Sequence, residues 1–222
     1  MPVGGYEYDT INPAARPIKL HPLSNFGSSG SVDIALAFND YRIRFDTGDP
    51  LRINRVTLQG TSYESINLKP FKMMSLETFQ EDMQLNFFSL VKVVKQIIPK
   101  MAEGASMVFF STVAVGMGMP FHTSVAASKG AIEGFAKSMA AEYAPKIRVN
   151  VVAPSLVDTP LATRLLSNDR KREMMSERHP LKRVGEASDI ANIAVFLLNE
   201  KSTWMTGQIV GVDGGMSTLN IN

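Results

Sequence analysis

Few side chains in this 222-residue chain have the type and placing for acid–base chemistry. Ser111 and Thr112 stand together where a short apolar run ends, and hydroxyls at such a point also satisfy strand-end backbone groups. His122 lies in the loop that follows; its imidazole has the unperturbed pKa best suited to proton transfer near neutrality, although a lone loop histidine reads as a solvated residue. Ser124 comes two residues later, but its hydroxyl is a far weaker acid than a phenol. His179, beside Pro180, reads as loop structure. Lys129, in Ala-Ser-Lys-Gly, taken alone is a helix lysine facing solvent. There is no cysteine, which excludes disulfides, thiolate catalysis and cysteine-based zinc sites together. No metal site is expected.

Charge narrows the partners. Lys plus Arg number 23 against 21 Asp plus Glu, so no excess points to nucleic acid or to an anionic membrane surface. A small molecule and further copies of the chain are the partners to expect. No stretch approaches the ~18 apolar residues of a membrane span, and no basic segment followed by an apolar run opens the chain. A cytoplasmic protein of one domain over residues 1–222 is the expectation.

The elements that must position these residues begin near residue 65. Before it, Pro2, Pro13, Pro17, Pro22 and Pro50 break the chain, and only 32–38 and 55–58 suggest ordered elements. This segment is expected to be irregular or short-stranded. After it, Ser75 can cap a long amphipathic helix over 75–99, with Glu77 in its first turn and Pro99 at its end. Its apolar residues, including Phe87, Phe88, Val93, Val94, Ile97 and Ile98, exceed what one sheet-facing stripe requires. Residues 106–110 read as a buried parallel strand. A helix over 124–143 follows, rich in alanine and glycine and stopped by Pro145. Strands over 147–153 and 209–212 flank a helix over 188–198, and Asp213-Gly214-Gly215 closes the last strand. Alternating strands and helices imply an α/β fold with a parallel sheet covered on both faces.

Several landmarks in this ordered part occur in a fixed order: Asn86 in Gln-Leu-Asn-Phe-Phe; Phe110-Ser111-Thr112-Val113-Ala114; Ala126-Ala127-Ser128-Lys129-Gly130-Ala131; Arg148-Val149-Asn150-Val151-Val152-Ala153-Pro154 with Asp158-Thr159-Pro160; Pro180-Leu181-Lys182-Arg183-Val184-Gly185; Asp189-Ile190-Ala191; Thr206-Gly207-Gln208; and Val212-Asp213-Gly214-Gly215. Over about 155 residues this set resembles the short-chain dehydrogenase/reductase family, and members like 3-oxoacyl-carrier-protein reductases in particular. The resemblance implies a Rossmann-like doubly wound sheet, with residues 65–222 as its core and 1–64 as an atypical segment. It also implies NAD or NADP as cofactor, an alcohol or carbonyl substrate, and a homodimer or homotetramer paired through the helices over 75–99 and 124–143.

Residue by residue, the resemblance assigns Thr112 to polarising a substrate carbonyl, Lys129 to holding the nicotinamide ribose, and Asn86 to supporting a proton-relay water. Pro154, Val157 and Thr159 would line the nicotinamide. The family's central proton donor is a tyrosine four residues before the lysine, and here that position is Val125. An isopropyl group transfers no proton, so the alternative is a noncatalytic, self-associating scaffold.

The family's opening glycine turn, which lets backbone approach a pyrophosphate at a helix N-terminus, is also missing. The nearest string, Asn25-Phe26-Gly27-Ser28-Ser29-Gly30-Ser31-Val32, keeps one glycine of three and reads as an ordinary turn. Glu64 falls where a carboxylate would crowd and repel the cofactor. Only 34 residues separate Gly30 from Glu64, too few for three βα units of the family's length. An altered or frame-shifted reading of a normal first segment is one source of so abrupt a join.

Overall fold

The computed structural model describes residues 29–38, 41–48, 52–59 and 68–220. The chain divides into two compact units, one of residues 1–49 and 53–63, the other of 50–52 and 64–222. The first unit holds a three-stranded sheet in the order β1-β2-β3, with β1 Ser29–Phe38, β2 Tyr41–Gly48 and β3 Arg52–Gln59. β1 and β2 are antiparallel, with Val32 opposite Phe45, Ile34 opposite Ile43 and Phe38 opposite Tyr41.

This sheet corrects the expectation of an irregular or short-stranded segment. Val32, Ile34, Leu36 and Phe38 alternate with smaller or polar residues, as do Ile43 and Phe45 with Arg42, Arg44 and Asp46, and that period of two favours strands despite the surrounding prolines. Gly30 lies within β1; Gly27, Ser28 and Glu64 fall outside the described residues.

The second unit opens with α1, Leu76–Met83, whose N-cap Ser75 accepts a hydrogen bond from the Thr78 amide at 3.3 Å. The helix passes through a π-turn at Gln84–Phe88 and continues as α2, Ser89–Ile97. A parallel three-stranded sheet follows, in the order β4-β5-β8: β4 Ala105–Phe110, β5 Ile147–Pro154 and β8 Ile209–Val212. Between β4 and β5 run α3, Ala114–Met117, and α4, Thr123–Tyr143. After β5 come β6, Val157–Asp158, then α5, Asp169–Glu177, β7, Gly185–Glu186, and α6, Ala187–Leu198. The α/β class and the parallel sheet expected from the alternation are present.

Burial accounts for the arrangement. β5 is central, and Val149, Val151 and Val152 are all but inaccessible, as a strand covered on both faces requires. Val94 of α2 and Ile132, Ala136 and Met139 of α4 join Met107, Phe109, Val149 and Val151 in one core cluster. Val94 is therefore a core residue rather than part of an outward face, and Phe87, Ile97 and Ile98 pack against the same cluster. Phe88, by contrast, is 46% exposed.

Two polar side chains of β5 lock the C-terminal elements. Asn150, fully buried, donates to the Met205 carbonyl at 2.9 Å and accepts from the Gln208 amide at 3.1 Å, which sets the entry into β8. The Arg148 guanidinium donates to the carbonyls of Leu197, Asn199 and Ser202 at 3.0, 3.1 and 2.9 Å, satisfying acceptors where α6 ends. Partial burial lowers its pKa from the ordinary value.

Candidate functional site

Parallel α/β sheets place ligands outside the carboxyl ends of their strands, and three of the six residues expected in the site, Thr112, Lys129 and Pro154, lie at that edge. β4 ends at Phe110, whose carbonyl accepts from Lys129 Nζ at 3.3 Å. The next residues are bound to β5 by backbone: the Ser111 amide donates to the Val152 carbonyl at 2.8 Å and the Val113 amide to the Pro154 carbonyl at 3.1 Å. Thr112 therefore sits between two fixed points and next to Pro154. Its Oγ1 accepts from the Ala114 amide at 3.3 Å; that bond uses an oxygen lone pair and leaves the hydroxyl proton available to a ligand oxygen.

Asn86 reaches the same helix as Lys129 from the other side of a helix pair. It lies in the π-turn, and its Nδ2 donates to the Asp82 carbonyl at 3.1 Å and to Ser128 Oγ at 3.3 Å. One extra residue per turn releases backbone groups from the helical ladder, which is why such turns recur at functional sites. The remaining two residues lie on the loop after β5. Val157 is paired with Gly185 between β6 and β7, and Thr159 leads into a short 3-10 turn, its Oγ1 donating to the Val157 carbonyl at 3.5 Å. All six are half-buried, as residues lining a cleft would be.

Sequence reasoning missed the carboxylates that partner the serines. Ser111 is buried and donates to Glu133 Oε1 at 2.5 Å, so it holds α4 against β4. Glu133 stands four residues beyond Lys129, one turn along the same stripe, and that spacing could have indicated it. Ser124 donates to Asp82 Oδ2 at 2.5 Å, and both are 1% exposed. It faces α1 and is not a stand-in at position 125.

His122 bonds through Nδ1 to the Pro120 carbonyl of its own loop at 2.7 Å. His179 lies in the bend just after α5, in keeping with its reading as loop structure, but it is buried. It is 3% exposed and bonds through Nε2 to Ser155 Oγ at 2.9 Å and through Nδ1 to the Met175 carbonyl at 2.8 Å. Nearby Asp213 is pushed up by partial burial, but hydrogen bonds from Ser217 and Gly215 and the charge of His179 bring it below its ordinary pKa.

A cation, a free hydroxyl proton and a short loop of mixed polarity at one sheet edge suit the nicotinamide-ribose end of a dinucleotide. The pyrophosphate end is not matched in the same way: the glycine string around Gly30 enters strand β1 rather than a helix, so no helix N-terminus stands behind it. Among the described residues no group of three or more His, Cys, Asp or Glu could hold a metal ion, and no helix is long and apolar enough to cross a membrane.

A parallel α/β sheet with helices between its strands places the chain in the doubly wound, Rossmann-like class of folds. Residues 58–217 match the family model described as enoyl-(acyl carrier protein) reductase. The chain is 34% identical over 146 residues to the 3-oxoacyl-(acyl-carrier-protein) reductase of Thermotoga maritima, covering 64% of this chain and 58% of that protein. It is 35% identical over 153 residues to the L-xylulose reductase of Bos taurus, covering 67% of this chain and 62% of that protein.

A solved short-chain dehydrogenase/reductase from Brucella melitensis, titled a glucose/ribitol dehydrogenase, superposes with a TM-score of 0.65 at 30% identity, over 70% of this chain and 62% of that one. The chain belongs to the short-chain dehydrogenase/reductase family. It spans about 60% of the length of these curated relatives.

Proposed function

We propose that the chain is an NAD- or NADP-dependent oxidoreductase acting on a small alcohol or carbonyl compound. The observation that supports this reading is that Lys129 Nζ binds the Phe110 carbonyl at 3.3 Å, at the end of the strand that Thr112 follows by two residues. A bound nicotinamide would supply hydride. Lys129 would hold the ribose hydroxyls by charge-assisted hydrogen bonds. The Thr112 proton would point at the substrate oxygen and stabilise negative charge building there. Asn86 would steady the α4 face through Ser128, and Pro154, Val157 and Thr159 would bound the ring.

Titration of the full chain into reduced nicotinamide cofactor, read by cofactor fluorescence, tests this. A saturable change that Lys129→Ala weakens supports it, and no change at millimolar cofactor removes it. A second reading, a noncatalytic self-associating scaffold, is favoured by Val125 in the proton-donor position and by Phe88 at 46% exposure. It predicts a stable oligomer that leaves cofactor fluorescence unchanged.

A further inference from the structure

Val125 leaves the site without a proton donor on α4, but a hydroxyl backed by a buried imidazole stands on the neighbouring strand end. Ser155 follows Pro154 directly and is half-buried. The Pro154 carbonyl is the one that binds the Val113 amide at 3.1 Å, so Ser155 lies one residue from the tie that fixes Thr112. Its Oγ is 2.9 Å from His179 Nε2.

The tautomer of His179 follows from its other bond. A carbonyl oxygen only accepts, so the 2.8 Å contact with the Met175 carbonyl requires a proton on Nδ1. The neutral ring then offers Nε2 as an acceptor to the Ser155 hydroxyl. When the ring is protonated, Nε2 donates to Ser155 Oγ and the hydroxyl proton turns to Met216 Sδ at 3.1 Å, or to any oxygen that displaces this thioether. Every polar atom is satisfied in both states. The groups facing the ring are Ser155 from the loop after β5, the Met175 carbonyl from α5, and the Asp213 carboxylate from the turn after β8. Glu177 and Lys182, its chargeable neighbours in sequence, are paired with each other at 2.9 Å.

We propose that Ser155, recharged by His179, is the proton donor for carbonyl reduction in this chain. The inference rests on the oxidoreductase reading above. As the carbonyl carbon accepts hydride from a bound reduced nicotinamide, the C=O π pair moves to oxygen. That oxygen takes the Ser155 Oγ proton to become the alcohol. Ser155 Oγ takes the Nε2 proton of His179, and water returns a proton to His179. The carbonyl is reduced, the nicotinamide is oxidised, and one solvent proton is consumed. Met216, a flexible thioether, yields its place to the substrate oxygen.

The first test needs no cofactor. In 15N spectra of the labelled full chain, with His179 assigned by the loss of its signals in His179→Gln, the neutral ring is expected as the Nδ1-protonated tautomer. An Nε2-protonated ring overturns the proposal.

The second test is carbonyl reduction at saturating NADPH or NADH. Ser155→Ala and His179→Gln should each lower kcat by about 100-fold or more, the scale of a general acid, with cofactor binding by fluorescence within about twofold of the parent. The limb of the pH profile set by His179 should disappear in His179→Gln. Undiminished kcat in Ser155→Ala, in a chain that binds cofactor and turns over, ends this inference alone. Absence of any cofactor binding ends it together with the oxidoreductase reading.

Discussion

Ser124 donates to Asp82 Oδ2 at 2.5 Å across the contact between α4 and α1, one residue before the position that Val125 fills. A step of one residue along a helix turns the side chain by about 100°, so the hydroxyl that binds Asp82 does not share the stripe of Val125 and Lys129. The same face carries Ser128, which meets Asn86 one turn further along. Two polar rungs thus hold the helix pair in register.

Removing the first rung should be costly. Ser124→Ala deletes a hydrogen bond to a carboxylate in a setting where both groups are 1% exposed, and bonds to charged groups contribute about 1.5–3 kcal/mol. Urea unfolding is expected to show a loss in that range with little change in slope. A loss below about 0.5 kcal/mol, the size of an ordinary surface substitution, would contradict the buried pairing.

Asp189 gives a pH-dependent prediction. Arg183 binds it through two nitrogens at 2.7 and 2.9 Å, and the Glu186 amide donates to it at 2.8 Å. Those hydrogen bonds, Arg183 first, lower its pKa from 3.8 to about 2. A carboxyl with a depressed folded-state pKa adds stability above its unfolded pKa and loses it as pH falls through the folded value. The contribution is therefore full above about pH 4 and fades toward pH 2. Arg183→Met should move the Asp189 midpoint up toward the ordinary value in carboxyl 13C titration and reduce the stability lost over that acid range. An unmoved midpoint would show that Arg183 is not its partner in solution.

The α/β class, the helix cap at Ser75 and the parallel strands were legible because each rests on local pattern: period, cap and breaker. The candidates Thr112, Lys129 and Asn86 rest on their order along the chain, since a hydroxyl, an amine and an amide have no spacing that by itself implies a shared site. Partners separated by 24 to 42 residues escaped. Nothing local in Asp82 announces Ser124, nor anything in His179 its bond to Ser155, because the contacts are made by helix and loop packing. Before residue 60 the alternation of Val32, Ile34, Leu36 and Phe38 and the run over 55–58 marked parts of β1 and β3, whereas β2 lies among prolines and charged residues that obscure its period of two.

Val125 provides a gain-of-function prediction. It is half-buried and one turn before Lys129, so a phenol there would lie near an ammonium group that favours the phenolate. Val125→Tyr should raise carbonyl reduction at saturating cofactor by about tenfold or more, within the range of general acid catalysis, and add an ionisation below the unperturbed tyrosine value of about 10. Unchanged rates in a variant that binds cofactor normally would mean that the site lacks more than a proton donor at this position.

Phe88 should be covered by a second copy of the chain. It is 46% exposed and borders a shallow hollow on α1 and the π-turn, lined also by Phe79, Gln80, Met83 and Gln84. Its neighbours in sequence and in the next turns are already used: Phe87 packs against Phe135 at 5.8 Å between ring centres, and Val94 lies in the core at 2% exposure. That division makes Phe88→Glu a surface probe and Val94→Glu a core lesion, so only the first can report on assembly. If this face pairs with its symmetry mate, as closed two-fold assemblies do, light scattering at micromolar concentration should give at least a dimer for the parent chain. It should give a smaller mass for Phe88→Glu, with thermal unfolding still cooperative. A parent that is monomeric, or a Phe88→Glu variant of undiminished mass, would show that the hollow is not the assembly surface.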